Sequence, residues 1–228
     1  DAITKSAAER TSPEVISAAY AVVHLIGGVL LASARLLGAA GPFGMAAVAA
    51  SGAGLNGVAA LIGAAIGYII SCGLAGSIRY LAAIVLVYTI SFAFQDTKLA
   101  SKSVFAPATA AVSALSTGIL SSFTSVFTQA PAAAVVLIET VFSFGGCWFF
   151  REAMSSRERT TESEELRYAG SVLITAAVLL MAVSQIEIFG AISLGRLAAV
   201  LVVMTCTLRC GIMTGCTIGT AFGIAMDL

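Results

Sequence analysis

Long apolar runs separated by short breaks of Gly, Pro or charge set the pattern of this chain. A membrane-crossing helix needs about twenty predominantly apolar residues. The first such run spans 15–34, after Ser12-Pro13-Glu14, a favourable helix start, and ends at Arg35 and the Gly38–Pro42 break. Residues 43–53 are apolar but short, a thin span or a re-entrant segment, and Gly54-Leu55-Asn56-Gly57 reads as a turn. Helices are expected over 58–72 and 78–94, with a turn at 73–76 between them. The 104–127 run is rich in Ala, Ser and Thr, which suits the inside of a bundle better than its lipid face. Further spans are expected at 131–150, 168–184, 197–208 and 212–225, with a weaker, interfacial stretch at 186–195. The pattern predicts an all-α polytopic transmembrane bundle of eight spans, or nine if 43–53 crosses.

Charge sharpens this picture. Of the 24 Asp, Glu, Lys and Arg residues, nine lie in one island, REAMSSRERTTESEELR, at 151–167. The whole chain is 59% hydrophobic and 11% charged, where a soluble domain of this length carries roughly a quarter of its residues as charges. The expected organisation is a polar N-terminal segment (1–14), a first membrane block (15–150), the island as a connecting loop (151–167) and a second block (168–228). Within the island, Thr161 or Ser163 is placed to cap a helix that opens on Glu162, Glu164 and Glu165. Lys5 and Arg10, Lys98 and Lys102, and the island's arginines form three positive regions, which fall on one, cytoplasmic side if 43–53 crosses. Zero net charge leaves no basic face for nucleic acid. Five cysteines, all in or beside apolar runs, read as reduced buried thiols. The chain starts at Asp1 and stops at Leu228 just after an apolar run, and is read as a segment of a longer protein.

Few groups remain for chemistry. Glu139 lies mid-span, where an ionised carboxylate costs on the order of 2.5–3.5 kcal/mol. It calls for a proton or an arginine, and Arg35, Arg79, Arg196 and Arg209 stand at or near span ends. A buried pair fixing helix register, a partner contact, and a proton or ion path are the three readings of this carboxylate. His24, one turn from Tyr20 and Gly28, reads as a hydrogen-bonded contact between helices rather than a ligand. Cys206 and Cys210 share a helix face, with no second His or carboxylate to complete a metal set. Gly211, Gly215, Gly219 and Gly223 recur every four residues, and Gly63-x-x-x-Gly67 is a shorter version; such ladders let helix backbones approach closely, within a chain or between copies. No phosphate-binding loop, zinc-protease motif or nucleophilic triad occurs, so no catalysis and no cofactor is expected in this segment.

The stretch LLASARLLGAAGPFGMAAVAA at 30–50 resembles the opening of the membrane region of the stage II sporulation protein E family. In that family a first span ends in a Leu-Leu-Gly-Arg-like turn before a Pro-Phe-Gly start; Arg35, Pro42, Phe43 and Gly44 hold those places, although Arg35 here precedes Leu36-Leu37-Gly38. Glu139 with the Phe-rich end of its helix, the acidic Glu164-Glu165, Gly195-Arg196-Leu197 and the Gly-rich close are similar too. The resemblance implies a parent with about ten spans, a region binding cell-division proteins, and a C-terminal Mn²⁺- or Mg²⁺-dependent serine/threonine phosphatase. That hydrolase would dephosphorylate an anti-anti-sigma factor and so activate the first forespore sigma factor. The present segment would be its membrane anchor at the polar sporulation septum, self-associating, with its N-terminus cytoplasmic and the membrane region continuing beyond 228. The contrasting expectation is a small-solute or ion transporter or channel using Glu139 and the 104–127 helix.

Overall fold

The structure, a computed structural model, describes residues 13–36, 40–123, 133–155, 160–185, 187–188 and 192–227. The described residues form eight α-helices: α1 (Pro13–Ser33), α2 (Pro42–Ser51), α3 (Leu55–Phe94), α4 (Phe105–Phe123), α5 (Ala133–Ala153), α6 (Glu162–Ser184), α7 (Leu194–Cys210) and α8 (Ile212–Asp227). A two-residue antiparallel pairing, β1 (Glu187–Ile188) with β2 (Ile192–Ser193), precedes α7.

Four helices, α1, α3, α5 and α6, are long and apolar enough to cross a membrane. Among the described residues that is fewer than the eight or nine spans expected, for three physical reasons. α2, α7 and α8 have only 10, 17 and 16 residues. α4 is diluted by Thr109, Ser113, Ser116, Thr117, Ser121 and Ser122. α3, expected as two helices, runs for 40 residues with one break, at Gly73.

That break reverses the chain. Gly73 has φ +69° and ψ 169°, a conformation that a residue with a Cβ adopts only under strain. Were α3 straight, Tyr68 and Tyr80 would lie about 18 Å apart at 1.5 Å per residue. Their rings instead stack with centroids 4.7 Å apart and planes inclined by 10°. Further along, the Tyr88 hydroxyl donates to the Ala53 carbonyl at 3.2 Å. The arms 55–72 and 74–94 are therefore antiparallel, as the turn expected at 73–76 requires.

α1 packs along the first arm with small residues in the seam. A Cβ added to Gly63 would overlap the Leu25 carbonyl oxygen, and one added to Gly67 the Val29 carbonyl oxygen. Gly28 faces the Ala60 and Ala64 backbone in the same way. Because 25 meets 63 and 29 meets 67, the two helices run parallel. This is the small-residue packing that substitutes for a hydrophobic drive between helices in lipid.

Parallel neighbours in sequence need a return path, and 34–54 supplies it. Leu36 and Ala40 pair as an antiparallel bridge (N···O 2.8 and 3.0 Å), and α2 then starts within the bundle. All of Pro42 to Ala49 is buried, against α1, both arms of α3, α4 and α5. Irregular backbone at such depth survives only where protein satisfies its polar groups. The bridge does this for Leu36 and Ala40.

The remaining helices surround this centre. α5 runs parallel to α2, since Glu139 meets Gly41, Ser143 Oγ donates to the Pro42 carbonyl (3.3 Å) and Gly146 lies against Ala46 further along. Val178, Met181 and Ala182 of α6 join the same apolar core, which thus continues across the 168 boundary. Ala177, Ala199 and Phe222 form a small second cluster between α6, α7 and α8.

Several local expectations change. Gly57 is helical, and its Cβ position is filled by the Gly52 carbonyl oxygen, so it is a packing glycine and the turn lies at 52–54. The charged island is largely helix ends: Arg151–Ala153 finish α5 and Glu162–Arg167 open α6. Thr161 takes the cap position without a side-chain cap bond, while Glu164 accepts from the Thr160 amide at 3.2 Å. Arg167 and Glu152 meet across the island at 3.6 Å. In the 186–195 stretch, Leu194 already begins α7. Residues 1–12 and 124–132, with the expected starts and ends that fall there, lie outside the described residues.

Candidate functional site

Three residues from two chain segments converge on one carboxylate. Glu139, on α5, is fully buried (0% exposed). Arg79, on the second arm of α3, grips it with two nitrogens: Nη1 lies 2.6 Å from Oε2 and Nη2 donates to Oε1 at 2.7 Å. This two-pronged geometry is the one a planar guanidinium makes best. Tyr80, next in sequence, donates its hydroxyl to Oε1 at 2.6 Å. The Gly41 amide, just before α2, donates to the same oxygen at 3.3 Å. Oε2 has the Arg79 contact as its described partner.

A second layer ties α2 to this carboxylate. The Tyr68 hydroxyl, fully buried, donates to the Gly41 carbonyl at 2.5 Å and accepts from the Met45 amide at 3.2 Å. It thereby bridges Gly41 and Met45 across the first turn of α2. The N-terminus of α2 carries the positive end of its helix dipole, and Glu139 supplies the matching negative charge. The Arg79 guanidinium also lies over the Tyr80 ring, 4.5 Å from its centroid.

Of the four arginines expected near Glu139, the structure brings only Arg79 to it. Arg35 donates to the Ser71 carbonyl at 2.7 Å, at the end of the bundle where α3 turns. Arg196 sits in the first turn of α7, its amide 3.5 Å from Ser193 Oγ, and Arg209 in the last turn of the same helix. His24 Nδ1 lies 2.8 Å from the Tyr20 carbonyl of its own helix, so its hydrogen bond is within α1 rather than between helices. The Gly63 and Gly67 pair lies in the α1–α3 seam. The longer ladder splits: Gly211 is the break between α7 and α8 (φ +92°), Gly215 presses on Thr207, Gly219 makes ordinary contact with Val203, and Gly223 faces open space. A single contact face for all four glycines is therefore corrected to an α7–α8 crossing within the chain, tight at Gly215.

Sequence reasoning missed Tyr68, Tyr80, Ser143 and the Gly41 backbone. A signal for the tyrosines exists: a hydroxyl in an apolar run needs a buried partner. Among the described residues no three His, Cys, Asp or Glu side chains gather as a metal set. Cys72, Cys147, Cys206 and Cys216 are free thiols. Among the described residues, the groups bonded to Glu139 are an arginine, a phenol and a backbone amide. Such a set holds a charge in place. Comparison with protein families, curated proteins and solved structures yields no match.

Proposed function

We propose that this chain is a non-catalytic membrane anchor whose buried polar centre is a structural clamp. The single observation that carries the reading is the state of Glu139: buried, paired bidentately with Arg79, and bonded to Tyr80 and the start of α2. A transport carboxylate needs access to water or cargo. Three cavities lined by described residues, between α1, α3 and α6, between α5, α6 and α8, and between α7 and α8, border none of Glu139, Arg79, Tyr68 or Tyr80. The resemblance in 30–50 and around Glu139 supports the more specific proposal that the anchor serves a sporulation phosphatase at the polar septum. Its partners would be lipid, further copies of itself, and cell-division proteins reached through other regions.

The same reading includes a topology. Each successive helix runs opposite to the one before, so 34–53 acts as a broken passage, part loop and part α2, and the two arms of α3 count separately. Nine passages follow, with 95–104 and the island on the cytoplasmic side. In a cysteine-free background, Ala53→Cys and Ser101→Cys are expected to react with a membrane-impermeant thiol reagent from the cytoplasmic side, and Leu74→Cys only from outside. Labelling of Leu74→Cys and Ser101→Cys from one side defeats this topology.

The functional test is localisation. The full chain fused to a fluorescent protein is expected to enrich at the polar septum of a sporulating bacterium. Uniform membrane fluorescence removes the septal role. One observation favours a transporter as the second reading: a half-helix whose N-terminus lies inside the bundle is a known way to build a midplane site. Solute or ion flux through proteoliposomes of the purified chain that is lost in Glu139→Gln establishes it instead.

A further inference from the structure

Two cavities lie side by side where α6 and α8 close against α1 and α3. The larger, 670 Å³, lies at the end of the bundle away from the charged island, between the end of α1, the turn of α3 and the end of α6. Its wall carries Ser33, Arg35, Ser71, Ser184 and Gln185, and the formal charge among its described lining residues is that of Arg35. The smaller, 380 Å³, is an apolar cleft between α5, α6 and α8, walled by residues such as Phe43, Phe142, Gly145 and Ile174. Met181 and Ala225 line both. The neighbouring residues Arg35 and Leu36 divide between them, Arg35 lining the polar cavity and Leu36 the cleft. Phe142 and Ile174 are 39% and 36% exposed, so the cleft opens sideways toward the hydrocarbon. Both volumes fall within the range of about 300–1,000 Å³ usual for small-molecule sites.

We propose that this pair of cavities binds one anionic phospholipid, its phosphate on Arg35 and one acyl chain in the cleft between α5 and α6. The chemistry of the two walls selects this occupant. A cationic, hydroxyl-bearing wall joined to a purely apolar one fits an amphiphile with a charged head. A guanidinium at the end of a helix is suited to a phosphate, which it meets with paired N–H groups. Arg35 also donates to the Ser71 carbonyl, a bond that holds the guanidinium on the cavity wall. The proposal rests on the reading of the chain as a membrane bundle and is independent of its role as an anchor.

Native mass spectrometry of the full chain, purified in detergent and offered phosphatidylglycerol or phosphatidylcholine, tests it. Phosphatidylglycerol is expected to be retained about tenfold more than phosphatidylcholine. Arg35→Gln should abolish that preference. A Cβ at Gly145 meets nothing within 4 Å, so Gly145→Leu should fill the cleft and lower retention of both lipids while leaving the thermal midpoint in place. Equal retention of the two lipids by the parent chain overturns the proposal. So does stabilisation by inorganic phosphate as large as that by phosphatidylglycerol, which would mark a free-anion site. Where Arg35→Gln does not fold, Gly145→Leu carries the test, and undiminished retention in that variant overturns the proposal. Septal enrichment does not depend on any of these outcomes.

Discussion

Arg79→Met is expected to destabilise the bundle by about 3–5 kcal/mol, the usual cost of removing one partner from a buried ion pair. The magnitude follows from what remains. Glu139 stays fully buried with a hydroxyl and one backbone amide, which are too few to hold an ionised carboxylate in an apolar surrounding. The methionine fills the alkyl path of the arginine, so lost packing contributes little. Glu139→Gln alone strands the arginine, whose side chain is 11% exposed and can draw on water, so its cost should be smaller. The double variant, Arg79→Met with Glu139→Gln, removes both charges and keeps an oxygen for Tyr80 and Gly41. It should therefore lie closer to the parent than Arg79→Met does. Equilibrium unfolding in mixed micelles of the four proteins gives the coupling directly. An Arg79→Met variant within 1 kcal/mol of the parent would mean that the pair is not a clamp.

Gly63→Val carries the second large effect, roughly 3 kcal/mol or more. The obstacle to the new Cβ is the Leu25 carbonyl, part of a helix backbone, which cannot rotate aside as a side chain could. Relief requires α1 to move off the first arm of α3, and this also opens the contacts at Gly28 and Gly67. Gly223→Val is the matched control: the same change of residue, in a helix, into open space. Thermal midpoints of the two should separate clearly, with Gly63→Val falling and Gly223→Val holding. Equal midpoints would sink the close-packed seam.

The difference between these two glycines shows what sequence pattern can and cannot deliver. Four-residue spacing was visible at Gly63 and at Gly211–Gly223 alike. Spacing states that small residues share a face if the helix is continuous. It does not state that Gly211 is the residue where the helix stops, or that α8 turns Gly223 away from α7. Helix existence was legible for α1, α5 and α6, because an apolar run of that length has few other solutions. Arg79 could not be told from Arg35, Arg196 and Arg209, since all four stand at or near span ends and the choice depends on which arm of α3 faces α5. The tyrosines escaped for a related reason. In a run such as Leu-Ile-Gly-Ala-Ala-Ile-Gly-Tyr a phenol passes for apolar, and its hydroxyl acquires meaning only once the Gly41 carbonyl is beside it. The island was legible in part: the helix start at Glu162, Glu164 and Glu165 shows in its carboxylates, which favour the first turn of α6 through its dipole, while the extension of α5 to Ala153 does not show.

α2 also constrains the order in which the protein can be made. Ten residues, about 15 Å of helix, are half the thickness of a bilayer core and cannot hold a transmembrane position alone. The amide that opens this helix finds its carboxylate 98 residues later in the chain. During synthesis the segment 34–53 therefore emerges well before α5, with α1 and the arms of α3 already able to insert. It must wait at the membrane surface, or loosely between those helices, until Glu139 arrives. On the proposed membrane topology, completion of the core is thus expected to be a late step of biogenesis, set by the delivery of α5 rather than by the insertion of the helices that precede it.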